Sequence, residues 1–243
     1  MNLRLLAAPL LVFLTVLPAT AQELKAYSRR NAFSIFTEYS STSSHIILGV
    51  SQNRRLVGVG LTYMRRVVHT SYADLNYAVE LHPVTLFQQP YATDTLIRFG
   101  TIPVVGANSS TGATISICRA GTILEPGFPL PGVTYTRTCE TRWSYTGGLS
   151  PLGVRINIAP RKRLQPFVVG NAGFLASTHD IPYANSARFN FTFEFGAGLE
   201  LFHNHSRSIA AEYRIHHLSN AYRAYSNPGI DNQIVKLTYT FGH

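Results

Sequence analysis

Charge is scarce in this chain. Only 14% of its 243 residues are Asp, Glu, Lys or Arg, against about 25% in an average soluble protein, while 45% are hydrophobic. A surface so poor in charge does not suit a water-solvated globule. Long apolar runs are scarce too. One exists, LLAAPLLVFLTVL at 5–17, preceded by Arg4 and followed by Pro18 and Ala19-Thr20-Ala21. A lone positive charge, a short apolar stretch and an A-x-A site make a signal peptide at 1–21 that is cut after Ala21, leaving 22–243 as the mature chain. With no second run of about 20 apolar residues, helical membrane spanning is excluded beyond that leader. Cysteine is almost missing. Cys118 and Cys139 are too few and too far apart for a metal centre, and in an exported chain an isolated pair reads as one disulfide. Acidic residues are also short, 12 against 21 Lys and Arg, for a formal charge of +9. That balance favours anionic partners. Nucleic acid does not suit an exported protein, so phosphorylated lipid is the better match.

What is present in abundance is period-2 alternation. In ARFNFTFEFGAGLEL (187–201) every odd position is Ala, Phe or Leu and every even one is polar or glycine. Fifteen residues of strict alternation exceed the usual strand of about 5–6 residues. Membrane barrel strands, with one face to lipid and one to a polar interior, need that length. The same rhythm recurs in ADLNYAVEL (73–81), GVRINI (153–158), SIAAEYRI (208–215) and IVKLTYTF (234–241). The pattern predicts eight strands, at about 32–51, 55–67, 72–83, 143–158, 164–176, 187–202, 207–219 and 232–241. An even number suits an all-β, eight-stranded antiparallel transmembrane barrel with a long external loop after the third strand, residues 84–142. Composition alone leaves a secreted β-sandwich open.

Chemistry concentrates in HHLSNAYRAYSNPGID, residues 216–231. His-x-Ser is a cheap pattern among nine histidines, and His69-Thr70-Ser71 is a second copy to which no role is assigned. Direction distinguishes the first copy. Residues two apart on a strand share a face, so His217 and Ser219 can meet as base and nucleophile. Their parity is that of Ile209, Ala211, Tyr213 and Ile215, the lipid-facing side. Asp231 opens the next strand with the parity of Leu237, Tyr239 and Phe241, and also points outward. Three polar groups at one external rim would lie at headgroup depth, where a carboxylate is tolerated. Elsewhere, His203 and His205 read as a solvated turn and His216 as part of a polar lumen.

The string HHLSNA…NPGID followed by a terminal aromatic strand resembles the outer-membrane lipid A 3-O-deacylases, grouped with the acyloxyacyl hydrolase-like family. The match covers about 216–241. It implies a serine esterase that removes an ester-linked hydroxyacyl chain from lipid A of lipopolysaccharide, in the outer membrane, without metal or cofactor. By the resemblance Ser219 is the nucleophile, His217 the base and Asp231 the acid, with Asn220 in oxyanion support and Asn227 as a further polar loop residue. The chain departs from the family pattern twice. Asp231 stands where glutamate is common, and Tyr222 stands where a glycine is. Outer-membrane lipid is the expected surrounding, with a homodimer left open. A non-enzymatic structural or adhesive barrel and a lipid A acyltransferase remain as rival readings.

Overall fold

The computed structural model describes residues 27–106, 108–127, 131–183 and 185–243; the leader read at 1–21 lies outside them. The elements in chain order are β1 (Asn31–Ser40), β2 (Arg55–His69), β3 (Ala73–Phe99), β4 (Ile102–Pro103), β5 (Ser109–Ala113), β6 (Gly121–Glu125), β7 (Val133–Ile158), β8 (Leu164–Ile181), β9 (Ala187–Phe202), β10 (Arg207–Ser219) and β11 (Ile230–Gly242). Eight of these, β1, β2, β3, β7, β8, β9, β10 and β11, pair antiparallel in sequence order. The ring closes where β1 pairs with β11, Ala32 opposite Gly242 through Tyr39 opposite Val235. Closure leaves no open edge among the eight. The expected eight-stranded antiparallel barrel is therefore the fold.

Alternation along each strand sorts the two faces. Outward lie Phe33, Ile35, Phe191, Phe193, Phe195, Leu199, Leu237 and Tyr239, all substantially exposed. An apolar outer belt of this kind is what lipid contact demands of a barrel. No helix among the described residues is long and apolar enough to cross a membrane.

Inside, buried charged groups pair with one another. The Arg214 guanidinium lies against Glu80 at 2.9 Å, Glu194 at 2.7 Å and Glu212 at 2.8 Å. Lys236 Nζ adds a 2.7 Å contact to Glu80. His216 is buried in this lumen, as its parity predicts. A separate layer centres on Glu200, which pairs with Arg29 and Arg155. Toward the ends of β10 and β11 the filling turns apolar, with Leu56, Phe87, Leu175, Ile181, Leu218, Ile230 and Ile234 in one cluster. Leu218 and Ile230 are almost wholly buried, each contributing roughly 1.5–3 kcal/mol. They pin the strand ends that carry the outward residues beside them.

The largest departures from the sequence expectation fall in two places, while β8 also runs on to Ile181. The first strand, expected to run to 51, ends at Ser40, and residues 41–54 form a loop at that end of the barrel. The excursion at 84–142, expected as an external loop, is largely strand. β3 and β7 run on past the barrel as a paired ribbon, from Gln89 opposite Arg142 to Phe99 opposite Val133, beyond the last β2 partner at Gln88. β5 flanks β3 and β6 flanks β7. The richness of 84–142 in Pro, Gly, Ser and Thr reads as loop, whereas strand pairing satisfies its backbone in water just as well. A disulfide between Cys118 and Cys139 ties the projection to β7.

Candidate active site

β10 and β11 are joined by residues 220–229, and their register sets His217 directly opposite Asp231. Side chains facing each other on paired strands lie within reach. Here His217 Nδ1 is 2.6 Å from Asp231 Oδ1. The missing methylene relative to glutamate therefore costs no reach, because the two residues are nearest cross-strand neighbours.

Asp231 does not face lipid openly. It is 0% exposed, roofed by the loop between β1 and β2. Four consecutive backbone amides of that loop donate to its Oδ2: Ile46 at 3.0 Å, Ile47 at 2.6 Å, Leu48 at 3.1 Å and Gly49 at 3.0 Å. Such a nest of N–H groups stabilises negative charge on the carboxylate and fixes its orientation. Ser44 N also donates to the Asp231 carbonyl, at 3.0 Å, and Val50 N to Pro228 O, at 2.7 Å. The His45 ring bonds back to Gly49 O at 2.8 Å. Gly49 has to be glycine, since a Cβ there would sit 2.5 Å from Asp231 N and 2.8 Å from Asp231 Oδ1. This loop was missed from sequence, where SHIILGV (44–50) reads as the end of a strand. Its unalternating apolar run closed by a glycine was the one available signal.

Ser219 follows two residues after His217 on the same outward face, half-buried. Among the described residues its hydroxyl has no hydrogen-bond partner, so His217 and Asp231 are joined and Ser219 stands beside them unengaged. The His217 side chain is 15% exposed, and its Nε2 is the nitrogen left for chemistry. Asn220 and Asn227 brace the connecting loop. Asn227 Oδ1 accepts from Asn220 N at 3.0 Å, and Asn220 Nδ2 donates to Ser226 O at 2.7 Å. Asn220 Oδ1 in turn accepts from Tyr222 N at 2.9 Å. Tyr222 has φ 59° and follows Ala221 at φ 51°. That left-handed conformation is why a glycine suits the position.

His69 makes an instructive contrast at the opposite end of the barrel. Its Nδ1 pairs with Asp74 Oδ1, and Asp74 Oδ2 accepts from Ser28. His205 stacks on the Tyr27 ring at 4.7 Å between centroids.

An apolar-belted barrel carrying an outward histidine–carboxylate pair with a serine beside it defines a class, a membrane barrel equipped for acid–base chemistry on its outer wall. The family comparison narrows that class. Residues 125–240, just under half of the chain, match the model of the lipid A 3-O-deacylase (PagL) family. The resemblance read from 216–241 is borne out by this match, which contains His217, Ser219, Asn220, Asn227 and Asp231. Among solved structures, the chain is similar to the outer membrane enzyme PagL at 14% identity, with 86% of this chain and 99% of that one covered and a TM-score of 0.49. It is also similar to LpxR from Salmonella typhimurium at 9% identity, with 92% and 86% covered and a TM-score of 0.25. No curated protein matches the chain.

Proposed function

We propose that the chain is an outer-membrane serine esterase that removes an ester-linked 3-hydroxyacyl chain from lipid A. The observation that carries this is the His217–Asp231 pair, locked by four loop amides on the lipid-facing wall beside Ser219. The family match over 125–240 supplies the substrate class. In this reading 1–21 directs export and is removed, the end of the barrel bearing the site faces outward, and the site lies at the outer margin of the apolar belt. Lipid A presents its ester bonds at that depth.

The chemistry is acyl transfer to water. The reaction requires Ser219 Oγ to come within hydrogen-bond reach of His217 Nε2, a bond that commonly tightens only when substrate is present. Oγ attacks the ester carbonyl as Nε2 takes its proton. The carbon–oxygen bond to the sugar then breaks, and Nε2 returns the proton to the departing sugar oxygen. Water repeats the cycle on the acyl-serine, freeing the hydroxy acid. Asp231 holds the Nδ1–H tautomer and stabilises the imidazolium. For Asn220 to donate to the oxyanion, its Nδ2 must exchange the Ser226 carbonyl for the developing alkoxide. Asn227 then keeps the loop in place through its bond to the Asn220 backbone.

The test is mass spectrometry of lipid A from cells producing wild-type protein or Ser219→Ala. Loss of one hydroxyacyl mass with wild type, and none with Ser219→Ala at equal membrane abundance, is expected. A gain of acyl mass would make the protein an acyltransferase. Unchanged lipid A in both strains would leave a structural barrel.

A further inference from the structure

Arg54, the residue before β2, is fully buried and has no carboxylate partner among the described residues. An unpaired cation is costly to bury, and burial pushes this guanidinium down to about 10. Its Nε has no partner among the described residues, and its two terminal nitrogens donate to backbone carbonyls of three separate segments. They are Gln52 O of its own loop, Thr114 O and Ile115 O of the projection (Ile115 at 2.7 Å), and Pro182 O of the β8–β9 connection, also at 2.7 Å. A packing role alone would be filled as well by an apolar side chain. The ties around Arg54 instead all converge on one loop. Gln52 N donates to Ile115 O at 2.9 Å. Arg54 N donates to Ser43 Oγ at 3.0 Å, and Ser43 Oγ to Ser51 O at 2.8 Å, closing the loop across its neck. Asn232, next to Asp231, donates to Arg54 O at 3.2 Å. Inside that closed loop lie the four amides that hold Asp231.

We propose that Arg54 is a positioning residue for the acid of the triad: it clamps the 41–54 loop to the disulfide-tied projection and to the β8–β9 connection, and so keeps the Ile46–Gly49 amides on Asp231. This rests on the esterase reading above. It assigns the projection a mechanical part in catalysis, since Thr114 and Ile115 lie three to four residues before Cys118. Losing the guanidinium removes the tie to the β8–β9 connection and leaves the loop on the projection through the Gln52 N–Ile115 O bond, so the nest loosens and the His217 tautomer is less firmly fixed.

Two readouts on the full-length protein in detergent test this. The first is kinetic, with Arg54→Gln compared in the wild-type and Asp231→Asn backgrounds. A displacement of about 1 Å at a reacting group can cost about 10²-fold. Arg54→Gln is therefore expected to lower kcat about 10²-fold with little change in KM, and to cost nothing further once Asp231 is Asn. Equal losses in both backgrounds would overturn the proposal. The second readout needs no substrate, because a proton shared between His217 Nδ1 and Asp231 resonates far downfield in the proton NMR spectrum. That signal is expected to vanish in Arg54→Gln while heat-modifiable migration shows an intact barrel, and its persistence would also overturn the proposal. Should Arg54→Gln fail to fold, Arg54→Lys takes its place. One ammonium reaches fewer of the four carbonyls, so an intermediate loss in both readouts is expected and wild-type behaviour in both refutes the role. Should Asp231→Asn retain full activity, the triad reading fails, while the NMR signal still decides whether Arg54 governs the pair.

Discussion

Replacing Asp231 by glutamate, the residue common in the resembling family, should impair this protein. The side chain lengthens by about 1.5 Å, the length of one carbon–carbon bond. Asp231 Oδ1 is already 2.6 Å from His217 Nδ1, while Oδ2 sits 2.6–3.1 Å from four amides. No slack lies behind the carboxylate, since even a methyl on Gly49 would come within 2.8 Å of Oδ1. Glutamate must therefore push the loop outward, an overpacking cost of about 1–3 kcal/mol, or swing away from His217 and lose a charge-assisted bond of about 1.5–3 kcal/mol. Expressed on the barrier, about 1.4 kcal/mol is tenfold in rate, so kcat should fall between about tenfold and 10²-fold. KM should hardly move, because neither change alters the outward apolar belt. Initial rates of hydroxy-acid release from lipid A in detergent micelles give both constants. Wild-type kcat in Asp231→Glu would show that the 41–54 loop adapts freely, and the rigid nest would then lose its part in catalysis.

Two other changes probe the same neighbourhood. Gly49→Ala places a Cβ 2.5 Å from Asp231 N and 2.6 Å from Ile230 C, backbone atoms that cannot swing aside, so a loss of activity of tenfold or more is expected from about 1–3 kcal/mol of crowding. An intact barrel by gel migration with unaltered rate would contradict it. Tyr222→Gly relieves a side chain held at φ 59°, a conformation costing roughly 1–2 kcal/mol, partly offset by the entropy of glycine at about 0.5–1 kcal/mol. Its unfolding temperature should rise slightly with activity kept; lower activity at unchanged stability would instead assign the exposed Tyr222 ring a contact with substrate.

Local alternation is what the sequence makes legible. Strand β10 begins and ends where the pattern at 207–219 does, and the outward parity of His217, Ser219 and Asp231 follows from counting in twos. Alternation fails where a segment answers to a distant partner. Ile46, Ile47 and Leu48 look like strand residues, yet their amides turn to a carboxylate more than 180 positions away. The projection was misread for a different reason. In TYTRTCETR (134–142) polar side chains fall on both faces, so the segment lacks the apolar surface that marks a membrane strand. Arg54 carried no sign of its burial, because its partners are backbone carbonyls that any sequence would offer.

The two His-x-Ser copies show which part of the site carries the information. His69 finds an aspartate too, five residues on, and Ser28 supplies that aspartate with a hydroxyl donor. A histidine–carboxylate pair is thus available at both ends of the barrel and cannot by itself mark an active site. The two differ in what holds the second carboxylate oxygen. At Asp74 it is a single hydroxyl, which can rotate. At Asp231 it is four successive backbone amides, set by a loop that is tied in turn to two other loops. A structural ion pair has no need of such rigidity. A general base that must present one tautomer to a serine does, because misorientation of the imidazole by a fraction of an ångström is felt in the rate. The case for catalysis at 217–231 therefore rests less on the letters His, Ser and Asp than on the loop built to keep the aspartate still.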